Sequence, residues 1–415
     1  VAGSVPFALP TEASLPTASY ATVGSPEAAH RSGVAPDATQ APDPSEPLAP
    51  SAPHTGRKVR FTRSDEFQKE LKRRVDDYFR VTGKRRRDCP EMYLKVAILL
   101  GGFAVTYCLL VFAAQTWWQA VPLAILLGGI MAAIGMNVQH DGGHQAVSDR
   151  RWINKLMSMS LDVIGGSSYY WHWKHAVLHH TYVNIVGHDS DIDLGIIGRL
   201  SPQSPRLAFH RWQHLYLWPL YGFLAMKWHC YDDYRDLLRG RIGEHRVPRP
   251  AGSDLLVFVA GKIVFLCLML VIPLRFHSLG TVLTFYAIAA AVAGIVLSVV
   301  FQLAHTVGEA TFPVPSADTG YVDNEWAIHQ VETTVDFART STLAAWLLGG
   351  LNFQIEHHLM PRICHIHYPA LSPVVEATCR DFGVRFSEHR TFLSGVAAHY
   401  RWLRAMGRDD NDAIV

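Results

Sequence analysis

His140-Asp141-Gly142-Gly143-His144 and, about thirty residues later, His175-Ala176-Val177-Leu178-His179-His180 are HxxxH and HxxxHH patterns. On a helix, residues i and i+4 share a face. His140 and His144 can therefore aim their imidazoles at one point, as can His175 and His179. Imidazole suits Fe, Zn, Cu and Ni. A third pattern, Gln354-Ile355-Glu356-His357-His358, lies towards the carboxyl end, and His305 closes a long apolar run. Eight histidines are thus collected: His140, His144, His175, His179, His180, His305, His357 and His358. A single ion takes at most about six ligands in the octahedral case. Eight imidazoles with room left for oxygen point to two metal ions.

Something must carry these boxes to one place. Four apolar segments, about 93–114, 120–138, 255–274 and 279–303, each approach the roughly 20 residues that cross a ~30 Å hydrocarbon core. The first pair is joined by Gln115-Thr116-Trp117-Trp118-Gln119 and the second by Arg275-Phe276-His277-Ser278, so each pair reads as a hairpin. Lys and Arg crowd the amino-terminal segment and the long loop after residue 141. The positive-inside rule then places both termini and the histidines in the cytoplasm. The expected fold is an all-α, multi-pass integral membrane protein: four transmembrane helices in two hairpins, capped by a cytoplasmic helical domain that holds a histidine-rich di-metal site. Lys262 is out of place in the third segment and is expected to face the protein interior. The stretches 157–171 and 212–228 are apolar but interrupted, and read as interfacial helices rather than spans.

Composition agrees. Apolar residues make up 49% of the 415, and charged residues only 18%, a low charged share for a soluble protein. The formal net charge of +2 gives no reason to expect a nucleic-acid partner. The six cysteines are scattered and read as reduced thiols. Residues 1–55, rich in Pro, Ala, Ser and Thr, read as a disordered leader without a secretory signal. Residues 56–92 contain a basic amphipathic helix with Phe67, Leu71, Val75 and Phe79 on one face. It would lie on an anionic leaflet or pack on the domain. The remainder, 93–415, forms the membrane domain.

The three boxes, their order and their flanks resemble the membrane fatty acid desaturase family. The QxxHH box is that of its front-end group, and the chain is most like the cyanobacterial delta-6 acyl-lipid desaturases. The resemblance covers about residues 65–407 and includes Tyr182-Val183-Asn184-Ile185-Val186-Gly187-His188-Asp189, Asp323-Asn324-Glu325-Trp326 and Ile363-Cys364-His365-Ile366-His367-Tyr368-Pro369. It implies a non-haem di-iron centre of two iron ions that uses O2 and two electrons to place a cis double bond in an acyl chain, held in an apolar tunnel between the spans. Acid, base and nucleophile do not attack an unactivated methylene, whereas iron with oxygen can. The substrate would be an acyl-lipid or an acyl-CoA. Many front-end relatives carry a fused cytochrome b5 domain, and its haem motif is absent here. Electrons are expected from a separate carrier, a ferredoxin or a cytochrome b5-like protein with its reductase. Ala176 stands where relatives often have Asn, and Gln354 where other desaturases have His. Gln354 would ligate iron directly or through water, or stand behind the ligands.

A related di-iron hydroxylase, conjugase or sphingolipid desaturase would share these boxes. A membrane metal carrier would place its ligands near the bilayer midplane, unlike boxes at span ends. Metal-bound imidazoles donate their other N–H to a carboxylate or carbonyl. Asp141, Asp189, Asp193, Glu325 and Glu356 are candidates for that role, with Asn184 and Gln330 as polar neighbours. His365 and His367 are expected to be structural. His172, His210, His214, His229, His245 and His389 read as ordinary.

Overall fold

The structure is a computed structural model, and residues 59–408 are described. The chain divides into two units, Val1–Pro50 and Ser51–Val415, and every described residue belongs to the second. The leader assigned to residues 1–55 lies outside the described residues.

Long runs of Leu, Val, Ile and Ala, broken by few charges, build four helices long enough to cross a membrane: Pro90–Ala113, Trp117–Gly143, Ser253–Arg275 and Leu279–His305. The second and fourth are mostly buried, and the first and third lie largely exposed outside them. At the central crossing a Cβ on Gly128 would stand 2.3 Å from the Ala289 carbonyl oxygen, so only glycine lets these helices meet so closely. The first turn is shorter than the sequence suggests. Thr116 and Gln119 form a capping box, so Trp117 and Trp118 open the second helix and stand exposed. Such tryptophans suit a membrane interface. The two hairpins bring the end of the second span and the end of the fourth to the same side.

Lys262 faces inward, as expected. Its Nζ donates to the Gly165 carbonyl (2.7 Å) and to Asp233 (2.5 Å), and so ties the third span to the layer above. Lys95, in the first span, is a second buried lysine and donates to His365 Nε2 at 2.9 Å.

The polar layer is helical too. Its described strands are three pairs of two residues each. The stretch 157–171 lies within short helices Arg151–Ser158, Ser160–Val163 and Ser168–Trp171, and 212–228 holds Gln213–Tyr221 and Leu224–Lys227; neither spans. The amphipathic helix is Glu66–Thr82, ended by Gly83 in the left-handed region at φ 64°. Its stripe of Phe67, Leu71, Val75 and Phe79 is buried in one cluster with Leu371, Val375 and Cys379 of helix Tyr368–Asp381. That settles between the two readings of this helix: its apolar face is occupied by the domain and not by lipid. A short helix, Thr342–Leu347, was not anticipated. It exposes Leu343, Trp346 and Leu347 beside the second span, where Asn137 donates to the Leu347 carbonyl at 3.0 Å.

Candidate metal centre

The helices bearing the first two boxes are not regular α-helices. The second span widens to π-helix over Ile134–Gln139 before the His140–Gly143 turn, and the HxxxHH box rides on a π-helical stretch, His172–His179. Such wide turns are uncommon and gather at functional sites. Gly142 lets the first box sit close to its neighbour: a Cβ there would be 2.6 Å from the Ser158 backbone nitrogen.

All eight histidines converge, each no more than 6% exposed. The ligand nitrogens of His140, His144, His175 and His357 lie within 4.8 Å of one another, as do those of His179, His305 and His358. His180 groups with both His357 and His358. His175 and His179 do come together, with ligand atoms within 4.8 Å of one another beside Asp191, while His175 also belongs to the first group and His179 to the second. His357 and His358 likewise meet beside His180 and otherwise fall in different groups.

The nitrogens are set up as ligands. In the second group each Nδ1 is held by the protein: His179 by Asp189 (3.1 Å), His358 by the Gln330 amide oxygen (3.0 Å) and His305 by the Thr333 carbonyl (3.4 Å). With the proton on Nδ1 the lone pair is on Nε2. All three Nε2 atoms are buried without a hydrogen-bond partner, as is that of His144. In the first group Nε2 atoms face each other directly: His140 to His175 at 3.2 Å, His175 to His180 at 3.3 Å and His180 to His357 at 3.0 Å. Burial, and then the neighbouring imidazoles, push His144, His175, His180, His357 and His358 well below the usual histidine range. Neutral imidazole is the form that binds a metal. His179 goes the other way. Burial opposes its charge, but the Asp189 carboxylate outweighs burial and raises it. Buried polar atoms without partners carry a high cost, and inward-aimed imidazole lone pairs are what a bound cation satisfies. The donor set fits metal ions.

The surrounding polar residues only partly match expectation. Asp189 and Gln330 touch imidazoles as proposed. Asn184, at φ 57°, donates to the carbonyls of His305 (2.9 Å), Thr311 (3.0 Å) and Thr333 (3.3 Å), and so holds backbone rather than rings. Asp141 receives both the backbone N–H (3.3 Å) and the Nδ1 (2.8 Å) of His365. His365 is thus tied to Asp141, with Cys364 beside them and all three ligand atoms within 4.8 Å of one another, and His367 binds the Arg85 carbonyl at 2.8 Å. Glu356 is a correction. Neither of its oxygens bonds an imidazole; it interacts with the Asp336 carboxyl, and burial pushes both carboxyls up. Asp193 and Glu325 are corrections too. The first accepts from the nearby Gly195 amide (2.8 Å), and the second from the Gln68 amide (3.2 Å) in the first turn of the distant helix Glu66–Thr82. Gln354 is buried one turn ahead of His357 and His358, and its Nε2 has no partner. Sequence reasoning missed Tyr368, whose hydroxyl is 3.4 Å from His357 Nδ1, and Trp171, whose ring centre lies 4.7 Å from that of His175. Tyr368 stands in the stretch Ile363-Cys364-His365-Ile366-His367-Tyr368-Pro369, which was the available signal.

An apolar path leaves the histidines. A narrow compartment of about 30 Å³ runs beside His140, Gln139, Gly135 and Trp228 to Met131 and Ile164. Beyond those two lies a cavity of about 670 Å³ between all four spans, lined by residues such as Tyr107, Leu127, Leu268 and Phe285.

Residues 116–390, which contain all three boxes, match the family described as fatty acid desaturase. The chain is 40% identical over 354 residues to the sn-1 linoleoyl-lipid 6-desaturase of Arthrospira platensis, covering 85% of this chain and 95% of the relative. It is 36% identical over 355 residues to the protein of the same name from Synechocystis sp., covering 85% and 99%. A third relative, the acyl-lipid (8-3)-desaturase of Physcomitrium patens, is 36% identical over 348 residues, covering 83% and 72%. Four membrane-length helices, two adjoining groups of buried imidazoles and these likenesses lead to one conclusion: the chain belongs to the fatty acid desaturase family, a membrane oxidoreductase with a site built for metal.

Proposed function

We propose that this protein is a front-end acyl-lipid desaturase that places a cis double bond at the delta-6 position of a membrane lipid's acyl chain. The observation that carries the metal chemistry is the set of buried Nε2 atoms in two adjoining groups, those of His144, His179, His305 and His358 without a partner and the rest facing one another. His140, His144, His175 and His357 would hold one iron ion and His179, His305 and His358 the other, with His180 between them. Gln354, buried one turn ahead of His357 and His358, would complete the coordination directly or through water, or stand behind the ligands. Iron with O2 supplies the oxidising power that removes hydrogen from an unactivated methylene. Two adjacent carbons each lose a hydrogen, and O2 with two electrons and two protons becomes two waters.

The protein's own residues do the rest. Asp189, Gln330 and the Thr333 carbonyl fix which ring nitrogen carries the proton and how each ring is turned. Trp171 packs edge-on to His140 and His144 and tilted against His175, and covers that side with an apolar surface. The acyl tail follows the apolar path that starts beside His140. We place the histidine groups and both termini on the cytoplasmic side, where Lys and Arg concentrate, and assign the electrons to a separate carrier, a ferredoxin or a cytochrome b5-like protein with its reductase. The test is expression with a matched electron donor, followed by gas chromatography of the lipids. The expected product is an acyl chain with a new delta-6 double bond. A hydroxy acid would replace desaturation with hydroxylation, and unaltered lipids beside an active donor would overturn the reading.

A further inference from the structure

The path beside His140 has a floor. Met131 and Ile164 are the two residues common to the lining of the narrow compartment and that of the large cavity beyond. Both are buried, and they pack in one apolar cluster with Leu161, Ala225, Ala290 and Ala293. The two side chains come from different elements, the second span and the end of the Ser160–Val163 turn, and both line the two spaces.

Their position sets a length. Met131 precedes His140 by nine residues (140 minus 131) on one continuous helical span. At about 1.5 Å per residue that is at most about 13 Å, since the wider π-helical turn over Ile134–Gln139 rises less. An extended backbone advances roughly 3.3–3.6 Å over its three bonds per residue, so a hydrocarbon chain of similar geometry advances about 1.2 Å per bond and fits about a dozen carbons into that distance. The linoleoyl chain in the names of two relatives has about a dozen carbons beyond its sixth, and its cis double bonds shorten it below full extension, so its tail is of the same order as this path. The compartment of about 30 Å³ has room for about one water, so a tail enters only as side chains swing aside. Met131 and Met136, unbranched thioethers, are the wall residues suited to that movement.

We propose that Met131 and Ile164 are the floor of the acyl path: they end it and close it off from the 670 Å³ cavity, so that their bulk sets the longest tail accepted. This inference rests on the acyl substrate proposed above and adds to it a residue pair that determines chain length. The larger cavity then lies outside the substrate path.

The experiment feeds acyl chains of graded length, shorter and longer than linoleoyl by two-carbon steps, to cells with a matched donor. Product is measured for each length. In the wild type, product falls by about tenfold or more past the permitted length, the discrimination that a few methylenes give in an apolar pocket. Met131→Ala with Ile164→Ala joins the two spaces and raises the long-to-standard product ratio by about tenfold, with the double bond at an unchanged distance from the carboxyl. Leu268→Trp, which fills the larger cavity from the third span, leaves standard-length product unchanged in the otherwise native protein and cancels the gain in the double variant. Should the double alanine variant not accumulate, Met131→Val with Ile164→Val shifts the ratio in the same direction by less. An unchanged ratio in variants that still make standard-length product overturns the floor. So does loss of standard-length product from Leu268→Trp alone, which would show the tail already reaching into the cavity. In either case the desaturase reading stands. No product of any length from the wild type removes both.

Discussion

At the scale of residues, the centre depends on atoms that never touch a metal. Gln330 contributes one amide oxygen, 3.0 Å from His358 Nδ1. Replacing it with leucine leaves that nitrogen without an acceptor and frees the ring to turn. Losses of about 10–100-fold in metal affinity or activity accompany such changes. We expect Gln330→Leu to fall in that range, and His179→Ala to abolish activity, with both proteins still inserted in the membrane; iron content and product formation measured side by side would check this. Full activity in His179→Ala would remove the ligand assignment. Much of this layer was legible in the sequence. Paired histidines at short spacing announce themselves because nothing else in a membrane protein calls for them. Glu356 was misread for a physical reason: neighbours in sequence on a helix point in different directions, so adjacency to His357 says nothing of contact. Tyr368 and Lys95 were illegible because an ordinary tyrosine or lysine acquires its role only when distant segments meet.

At the scale of elements, the third span is held to the polar layer by one buried charge pair. Lys262 and Asp233 keep only 11% and 9% of their side-chain surface exposed. Removing one partner leaves the other as a buried charge without a counter-ion, which costs about 3–5 kcal/mol. Lys262→Met is therefore expected to lower thermal stability in detergent clearly, and Lys262→Met with Asp233→Asn to restore most of it. A single variant as stable as the wild type would show that water reaches the pair. The sequence flagged Lys262 as a misfit and its inward direction correctly, but it could not name Asp233, which lies on a separate helix. The span limits were nearly right, since hydropathy reports length well. The π-helical turns were invisible, because a pattern read at 3.6 residues per turn has no place for a wider one.

At the scale of the whole molecule, two hairpins put every histidine group on one side, and the topology is part of the chemistry. In a background without native cysteines, Arg241→Cys is expected to react with a membrane-impermeant thiol reagent only after permeabilisation. Ser278→Cys, in the short turn between the third and fourth spans, is expected to react from outside. The reverse pattern would place the site on the other face. Front-end character was legible from Gln354 onward; the acyl path was not, because a cavity belongs to no single stretch of chain.

The division of the HH pairs has its own consequence. His357 belongs to one group of imidazoles and His358 to the other, yet their Cα atoms are consecutive, about 3.8 Å apart. The spacing between the two halves of the centre is therefore held by covalent bonds rather than by packing. Breathing of the spans moves His140 or His305, while His357 and His358 stay one peptide unit apart. Two ions held by these groups would share the peptide unit between His357 and His358.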